Sequence, residues 1–424
     1  MNVNDMLTKC EGYNFDGSNF TYMKCIYFMF FGLLGTNAVA QESPLTVYTK
    51  KEKGIEVVQK DSLFSLQYQF RVQNRAGYMS TSETDFTPEQ FEWRVRRLRM
   101  RFKGFVYDPR LTYHIQLSFS RGDMDWDATQ GSTVNSSPNV VRDAVINYDL
   151  TPALKVSFGQ TKLPGNRQRV ISSGNLQFAD RSIVNATFNI DRDFGFFAAY
   201  NKNYFQLKGA ITSGEGRNSN KSNKGLNYTG RLEILPFGKF SSGNDECEGD
   251  LAREKTPKLV VAGTYNFNHL AVRQGGTLGN DLYEASSISN VQLDAMFKYK
   301  GFAFYQEYLS RTATLPITVN DQGKTRAIYT GFGILTQMSY NLPSNLEFAA
   351  RLATINPTKD LYDNALYPAL NEKRLEQWQF GVSKYFYGHR VKVQGNLLYH
   401  VSKDLKNQTK SGQFGAIFQV ELGI

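Results

Sequence analysis

From residue 62 onward, hydrophobic and polar residues alternate with a period of two in one stretch after another. Phe64, Leu66, Tyr68, Phe70 and Val72 alternate with Ser65, Gln67, Gln69, Arg71 and Gln73. Leu226, Tyr228, Gly230, Leu232 and Ile234 alternate with Asn227, Thr229, Arg231 and Glu233, and Phe414, Ala416, Phe418, Val420, Leu422 and Ile424 share one face of the last stretch. Successive strand side chains point to opposite faces, so this pattern predicts strands with one apolar and one polar side. About sixteen such segments fit, at 62–73, 91–106, 111–121, 142–150, 154–163, 190–201, 204–213, 225–236, 258–267, 291–300, 302–312, 327–341, 346–355, 376–386, 390–401 and 413–424. The breaks alternate between tight turns, such as Asp108-Pro109-Arg110 and Lys300-Gly301, and longer gaps, such as 164–189 and 268–290.

Short turns on one side and long loops on the other predict an all-β transmembrane antiparallel barrel of about sixteen strands, with short periplasmic turns and long extracellular loops. The connection 237–257 departs from this rule, being long on the short side. A soluble sandwich or propeller would alternate too. Three features favour the membrane. Aromatics sit at strand ends (Phe297/Tyr299, Trp378/Phe386, Phe414), the last strand runs to the final residue, and the polar faces are rich in Arg, Gln and Asn.

Composition narrows the classes. The 424 residues include 24 Tyr, 31 Phe and 35 Gly, which suits strands. Three cysteines exclude a disulfide scaffold. A mean hydropathy of −0.43, with no run of 18 apolar residues, excludes a polytopic helical membrane protein. Met23-Lys24, the apolar run from Cys25 to Gly35, and Ala38-Val39-Ala40 read as a signal peptide over 23–40. Residues 1–22 read as an over-long start, 41–61 as a short periplasmic N-terminal segment, and 62–424 as the β-barrel domain. Residues 1–40 hold Lys9 and Lys24 against Asp5, Glu11 and Asp16, so removing them leaves 47 basic and 36 acidic residues, a net charge of +11.

The stretch Phe91 to Val106 is the most basic of the strands. Phe91, Trp93 and Val95 hold one parity, while Leu98, Met100, Phe102 and Val106 hold the other. The slip at Arg96-Arg97 predicts a β-bulge. Arg94, Arg96, Arg99, Arg101 and Lys103 then share one side. That side cannot face lipid, because one Arg or Lys at mid-bilayer costs ~2–4 kcal/mol. These five residues are therefore expected to line a pore. Arg stays charged and offers paired N–H donors to carboxylate or phosphate, so they could serve passing anions; equally, they could be a structural ladder paired with acids across the lumen. The loop 164–189 is basic as well, with Arg167, Arg169 and Arg181, preceded by Lys162, against the single acid Asp180. Folded inward it would form a constriction; otherwise it is a solvated surface loop.

Other motifs carry less. Asp123, Asp125 and Asp127 alternate as in a calcium loop, but Ala128 and Val134 stand where Gly and Glu are needed, so no metal is expected. The acidic run Asp245 to Asp250 reads as a solvated connection. No G-x-S-x-G, Walker A or H-E-x-x-H motif is present, and no enzyme, cofactor or nucleic-acid partner is expected.

The chain resembles the phosphate-selective porin O and P family, in its Bacteroidetes-type form. The resemblance rests on Val95-Arg96-Arg97-Leu98-Arg99, on Asp143 to Tyr148, on Phe158-Gly159-Gln160-Thr161-Lys162-Leu163-Pro164, and on Asp180-Arg181-Ser182 before Asn185. It implies a sixteen-stranded, trimeric outer-membrane porin of a Gram-negative bacterium that passively passes small anions, possibly including phosphate, through an Arg- and Lys-lined lumen in contact with outer-membrane lipid. The alternative is a non-conducting surface barrel that binds a partner through its long loops.

Overall fold

The computed structural model describes residues 45–50, 54–59, 63–120, 140–219, 225–241 and 243–424. The signal-peptide reading over 23–40 and the Asp123/Asp125/Asp127 motif lie outside them. Among the described residues there are twenty strands: β1 (Leu45–Lys50), β2 (Gly54–Gln59), β3 (Ser65–Ser80), β4 (Pro88–Val106), β5 (Asp108–Ser118), β6 (Val141–Asp149), β7 (Leu154–Lys162), β8 (Arg192–Lys202), β9 (Phe205–Thr212), β10 (Asn227–Ile234), β11 (Lys258–Arg273), β12 (Asp281–Tyr299), β13 (Phe302–Ala313), β14 (Ile317–Val319), β15 (Thr325–Ala327), β16 (Gly331–Asn341), β17 (Leu346–Pro357), β18 (Arg374–Tyr387), β19 (Val391–Lys403) and β20 (Lys410–Gly423). Sixteen of them, β3 to β13 and β16 to β20, pair antiparallel with their neighbours, and β20 pairs back onto β3, closing a barrel without a free edge. Strands β14 and β15 form a small hairpin in the β13–β16 connection.

The wall has the polarity of a membrane protein. Along β10, Tyr228, Leu232 and Ile234 are exposed while Asn227, Thr229, Arg231 and Glu233 are buried. A soluble protein would show the reverse. Apolar groups face outward because the solvent there is hydrocarbon, and closure satisfies every ladder hydrogen bond that lipid could not. Tight turns set the register. Tyr299 pairs with Phe302 across Lys300 (φ 48) and Gly301 (φ 94), a two-residue turn with both dihedrals in the left-handed region, which matches strand twist.

The structure differs from the sequence reading in several places. Strands β11 and β12 run to Arg273 and from Asp281, so the gap expected at 268–290 shrinks to a short loop. Register shifts between Asn268 and Ala271 and between Ala271 and Arg273 break strict alternation there although the ladder continues. Residues 41–61 contain the β1–β2 hairpin, whose second strand pairs with the first residues of β3 (Ile55 with Tyr68, Val58 with Ser65) beyond the end of β20. The connection between β10 and β11 is not a solvated loop. Glu248 and Asp250 are fully buried and Cys247 is nearly so.

Candidate functional site

Two chain segments fill part of the barrel from opposite rims. The first, between β7 and β8, carries α1 (Arg167–Val170) and α2 (Ile183–Phe188), the latter capped by Ser182 Oγ accepting from Asn185 N–H at 3.1 Å. Asn166 Nδ2 donates to Glu307 Oε1 on β13 (3.0 Å), Gln177 Nε2 to Glu347 Oε1 on β17 (2.7 Å), and Ala179 N–H to Asn396 Oδ1 on β19 (2.9 Å), while Asp180 meets Arg75 on β3 (2.5 Å). One segment can touch strands so far apart around the ring only from inside. Gly174 makes one approach possible, because a Cβ there would collide with the Arg71 guanidinium. On one side the segment is packed dry: Val184 and Phe188 join Met296, Tyr305, Leu335 and Ile355 in an apolar cluster.

The second segment, 235–257, enters from the short-turn rim. Glu248 accepts from Gln168 Nε2 (2.9 Å) and Gln177 N–H (2.9 Å), locking the two segments together. Lys298 on β12 is buried and donates to three backbone carbonyls of this insert, Asn244 O (2.6 Å), Cys247 O (2.8 Å) and Gly249 O (2.7 Å).

Beside these segments, along β3 to β10, runs the open part of the interior. A cavity of about 1170 Å³ is bordered by Arg96, Arg97, Arg99 and Arg101 of β4 and by Arg169 and Arg181 of the first segment. A second, of about 600 Å³, opens near Asn345, Gly388 and Ile424 at the short-turn rim. Both are lined by Arg99, Arg101, Gln116, Ser172, Asn175 and Glu246, so they meet at a waist.

The basic strand places its residues as follows. The register slips between Gln73/Arg97 and Asn74/Val95, leaving Arg96 as the bulged residue. Arg96 Nη2 lies 3.2 Å and Arg97 Nη2 3.4 Å from Asp180 Oδ1. Arg99 Nη1 donates to Ser173 Oγ (3.0 Å) and Arg101 Nη1 to Gln69 Oε1 (3.2 Å). Arg94 pairs with Glu92 (2.5 Å), half exposed, and Lys103 sits opposite Gln67; neither borders the two cavities. In the first segment, Arg167 is a buried anchor between Glu233 (2.5 Å) and Asp294 (2.9 Å), and Arg169 Nε donates to Asp191 Oδ1 (2.8 Å). Lys162 Nζ donates to Val170 O (2.6 Å), and Arg181 donates to Gln168 O (2.6 Å) and Ile171 O (2.7 Å). Among the described residues no carboxylate pairs with Arg101, Lys162 or Arg181. The basic set thus divides into cations that hold the structure and cations with neutral partners.

Sequence reading missed several inward groups. Arg75 lies past the expected end of its strand, and Arg97 is hidden by the bulge, which turns two consecutive residues inward. Ser172 and Ser173 carried no local signal. Arg71 donates to Ser173 Oγ at 2.8 Å, beside Arg99.

Asp180 is the electrostatic hinge of the basic wall. Burial would raise its pKa, but Arg96, Arg75 and Arg97 outweigh that and hold the carboxyl well below its ordinary value of 3.8. A depressed carboxylate stabilises the folded state above its unfolded pKa and loses that contribution as pH falls through the folded value. Asp180→Asn is therefore expected to lower the thermal unfolding midpoint at pH 7. The difference from the parent protein should persist to about pH 4 and shrink below it. Heat-modifiable gel mobility across pH checks this; a difference that vanishes between pH 7 and 5 contradicts it.

A closed sixteen-strand cylinder, apolar outside and charged within, around a water-accessible passage, defines a porin of the outer membrane. The chain belongs to the phosphate-selective porin O and P family, whose sequence profile matches residues 66–413. In fold it is similar to the anion-selective porin from Comamonas acidovorans (12% identity, 85% of this chain and 100% of that one, TM-score 0.52). It is similar also to the outer-membrane channel DcaP of Acinetobacter baumannii (11%, 86% and 99%, TM-score 0.52) and to Salmonella typhi OmpF solved with daunomycin (12%, 85% and 98%, TM-score 0.50). At such identities the likeness is one of fold. No match is found among curated proteins. Family and fold describe a channel rather than an enzyme.

Proposed function

We propose that the passage carries small anions, phosphate among them, by passive diffusion, and that Arg99 and Arg101 at the waist, with Lys162, Arg169 and Arg181 along the wider cavity, supply the attraction. The observation that carries this reading is the waist itself. Arg71 and Arg99 converge on Ser173 Oγ, which accepts from both and so gathers two guanidiniums beside the waist. Arg101 beside it has no carboxylate partner among the described residues. Guanidinium donors suit oxyanions. The neutral hydrogen-bond partners of Arg101, Lys162 and Arg181 leave those charges uncompensated, whereas Arg169 is paired with Asp191 and Arg71 with Glu421, so local anion concentration rises while each contact stays weak enough for release. Arg94, Arg96 and Lys103 add to the field of the wall rather than to the waist, and Arg167 fixes the segment that forms it.

On this reading the short-turn rim faces the periplasm, residues 23–40 direct export and are removed, and three copies assemble through their apolar outer faces. The test is the reversal potential of the reconstituted channel in a KCl gradient. Chloride is expected to permeate better than potassium, with the preference falling from 0.1 M to 1 M salt as the screening length drops from about 10 Å to about 3 Å. Cation preference overturns the reading, and absence of conductance would instead support a surface barrel acting through its loops.

A further inference from the structure

The insert from the short-turn rim delivers one acid to the waist. Its acidic run is used unevenly. Glu248 and Asp250 are buried and bonded, Asp250 accepting from Glu254 N–H (3.0 Å) and Gly301 N–H (2.7 Å). Glu246 is instead exposed and lines both cavities. Among the described residues its carboxylate has neither a hydrogen bond nor an ion pair, although its backbone carbonyl is pinned by Asn175 Nδ2 at 2.9 Å. The Lys298 contacts to Asn244 and Cys247 hold the turn on both sides of it. A carboxylate on a pinned backbone, without a partner among the described residues, therefore lines the junction of the two cavities together with Arg99 and Arg101.

We propose that Glu246 is a specificity-determining residue that makes the waist two-signed and selects small zwitterionic solutes, carrying a carboxylate and an ammonium group as amino acids do, over neutral solutes of equal size. The inference rests on the anion reading for the basic side alone. A carboxylate drawn to the guanidiniums places an ammonium at the other end of the molecule toward Glu246, so both ends gain. A neutral molecule gains nothing, and a simple anion is repelled by Glu246 while attracted by the arginines. A contact between unit charges in water corresponds to roughly a fivefold effect.

The experiment is isosmotic swelling of proteoliposomes with β-alanine, propionate and propionamide as probes of similar size, comparing the parent channel with Glu246→Gln and Glu246→Asp. The parent is expected to pass β-alanine faster than propionamide. In Glu246→Gln the β-alanine to propionamide ratio should fall roughly fivefold and propionate uptake should rise, while Glu246→Asp retains the parent ratio. An unchanged ratio in Glu246→Gln, with normal heat-modifiable mobility showing a folded barrel, overturns the proposal. Failure of the anion reading would appear separately, as potassium preference in the parent channel's reversal potential.

Discussion

Replacing Arg99 and Arg101 together with glutamate is expected to invert the ion preference of the channel. Both residues border both cavities, so an ion moving from one cavity to the other passes beside them. Each substitution changes the local charge by two, and the pair changes it by four. With contact interactions of about 1 kcal/mol per charge pair in water and more in the narrow interior, the anion-to-cation permeability ratio should change by well over tenfold. The reversal potential in a KCl gradient should therefore change sign. Arg99→Gln with Arg101→Gln should bring it toward zero without inverting it. A double glutamate variant that folds and stays anion-preferring would show that the selecting charges lie elsewhere.

The second large effect is expected from Lys298→Met, through the insert rather than the wall. The ammonium holds three carbonyls of the 235–257 segment, and methionine fills the space without donating to them. Bonds to a charged donor contribute about 1.5–3 kcal/mol each, so the insert should lose several kcal/mol of docking energy. The expected results are a higher single-channel conductance, since the smaller cavity is lined by Gly243, Asn244 and Cys247 of this insert, and rapid maleimide labelling of Cys247, which is buried in the native fold. Unchanged conductance together with an unreactive Cys247 would mean that the insert is held by Glu248 and Asp250 alone.

The wall of this protein was legible because lipid enforces it. Hydrocarbon on one face and water on the other impose strict alternation, and all sixteen barrel strands fall on segments with that period. Arginine's cost in lipid likewise argues for the inward face of Arg99 and Arg101 on β4, which border both cavities. The interior was not legible, because what decides it is not local. Asp180 was visible as the one acid of a basic loop, yet its partners Arg75, Arg96 and Arg97 lie some 83 to 105 residues away. Glu248 belongs to an acidic run that would be at home in solvent; its burial depends on Gln168, Gln177 and Gln337, none of them close in sequence. Arg97 escaped because a bulge breaks the parity rule that exposed its neighbours. Polar side chains without periodicity read as loops, and only the closed ring turns such loops inward.

Those inward contacts also impose an order of assembly. The β7–β8 segment is tied to Asn396, Lys392 and Gln394 on β19, more than two hundred residues downstream, and Gln73 on β3 bonds Glu421 on β20. None of these ties can form until the final strands arrive. A half-built cylinder would hold a loose, hydrated interior, and the passage acquires its defined bore only as the closing step of biogenesis.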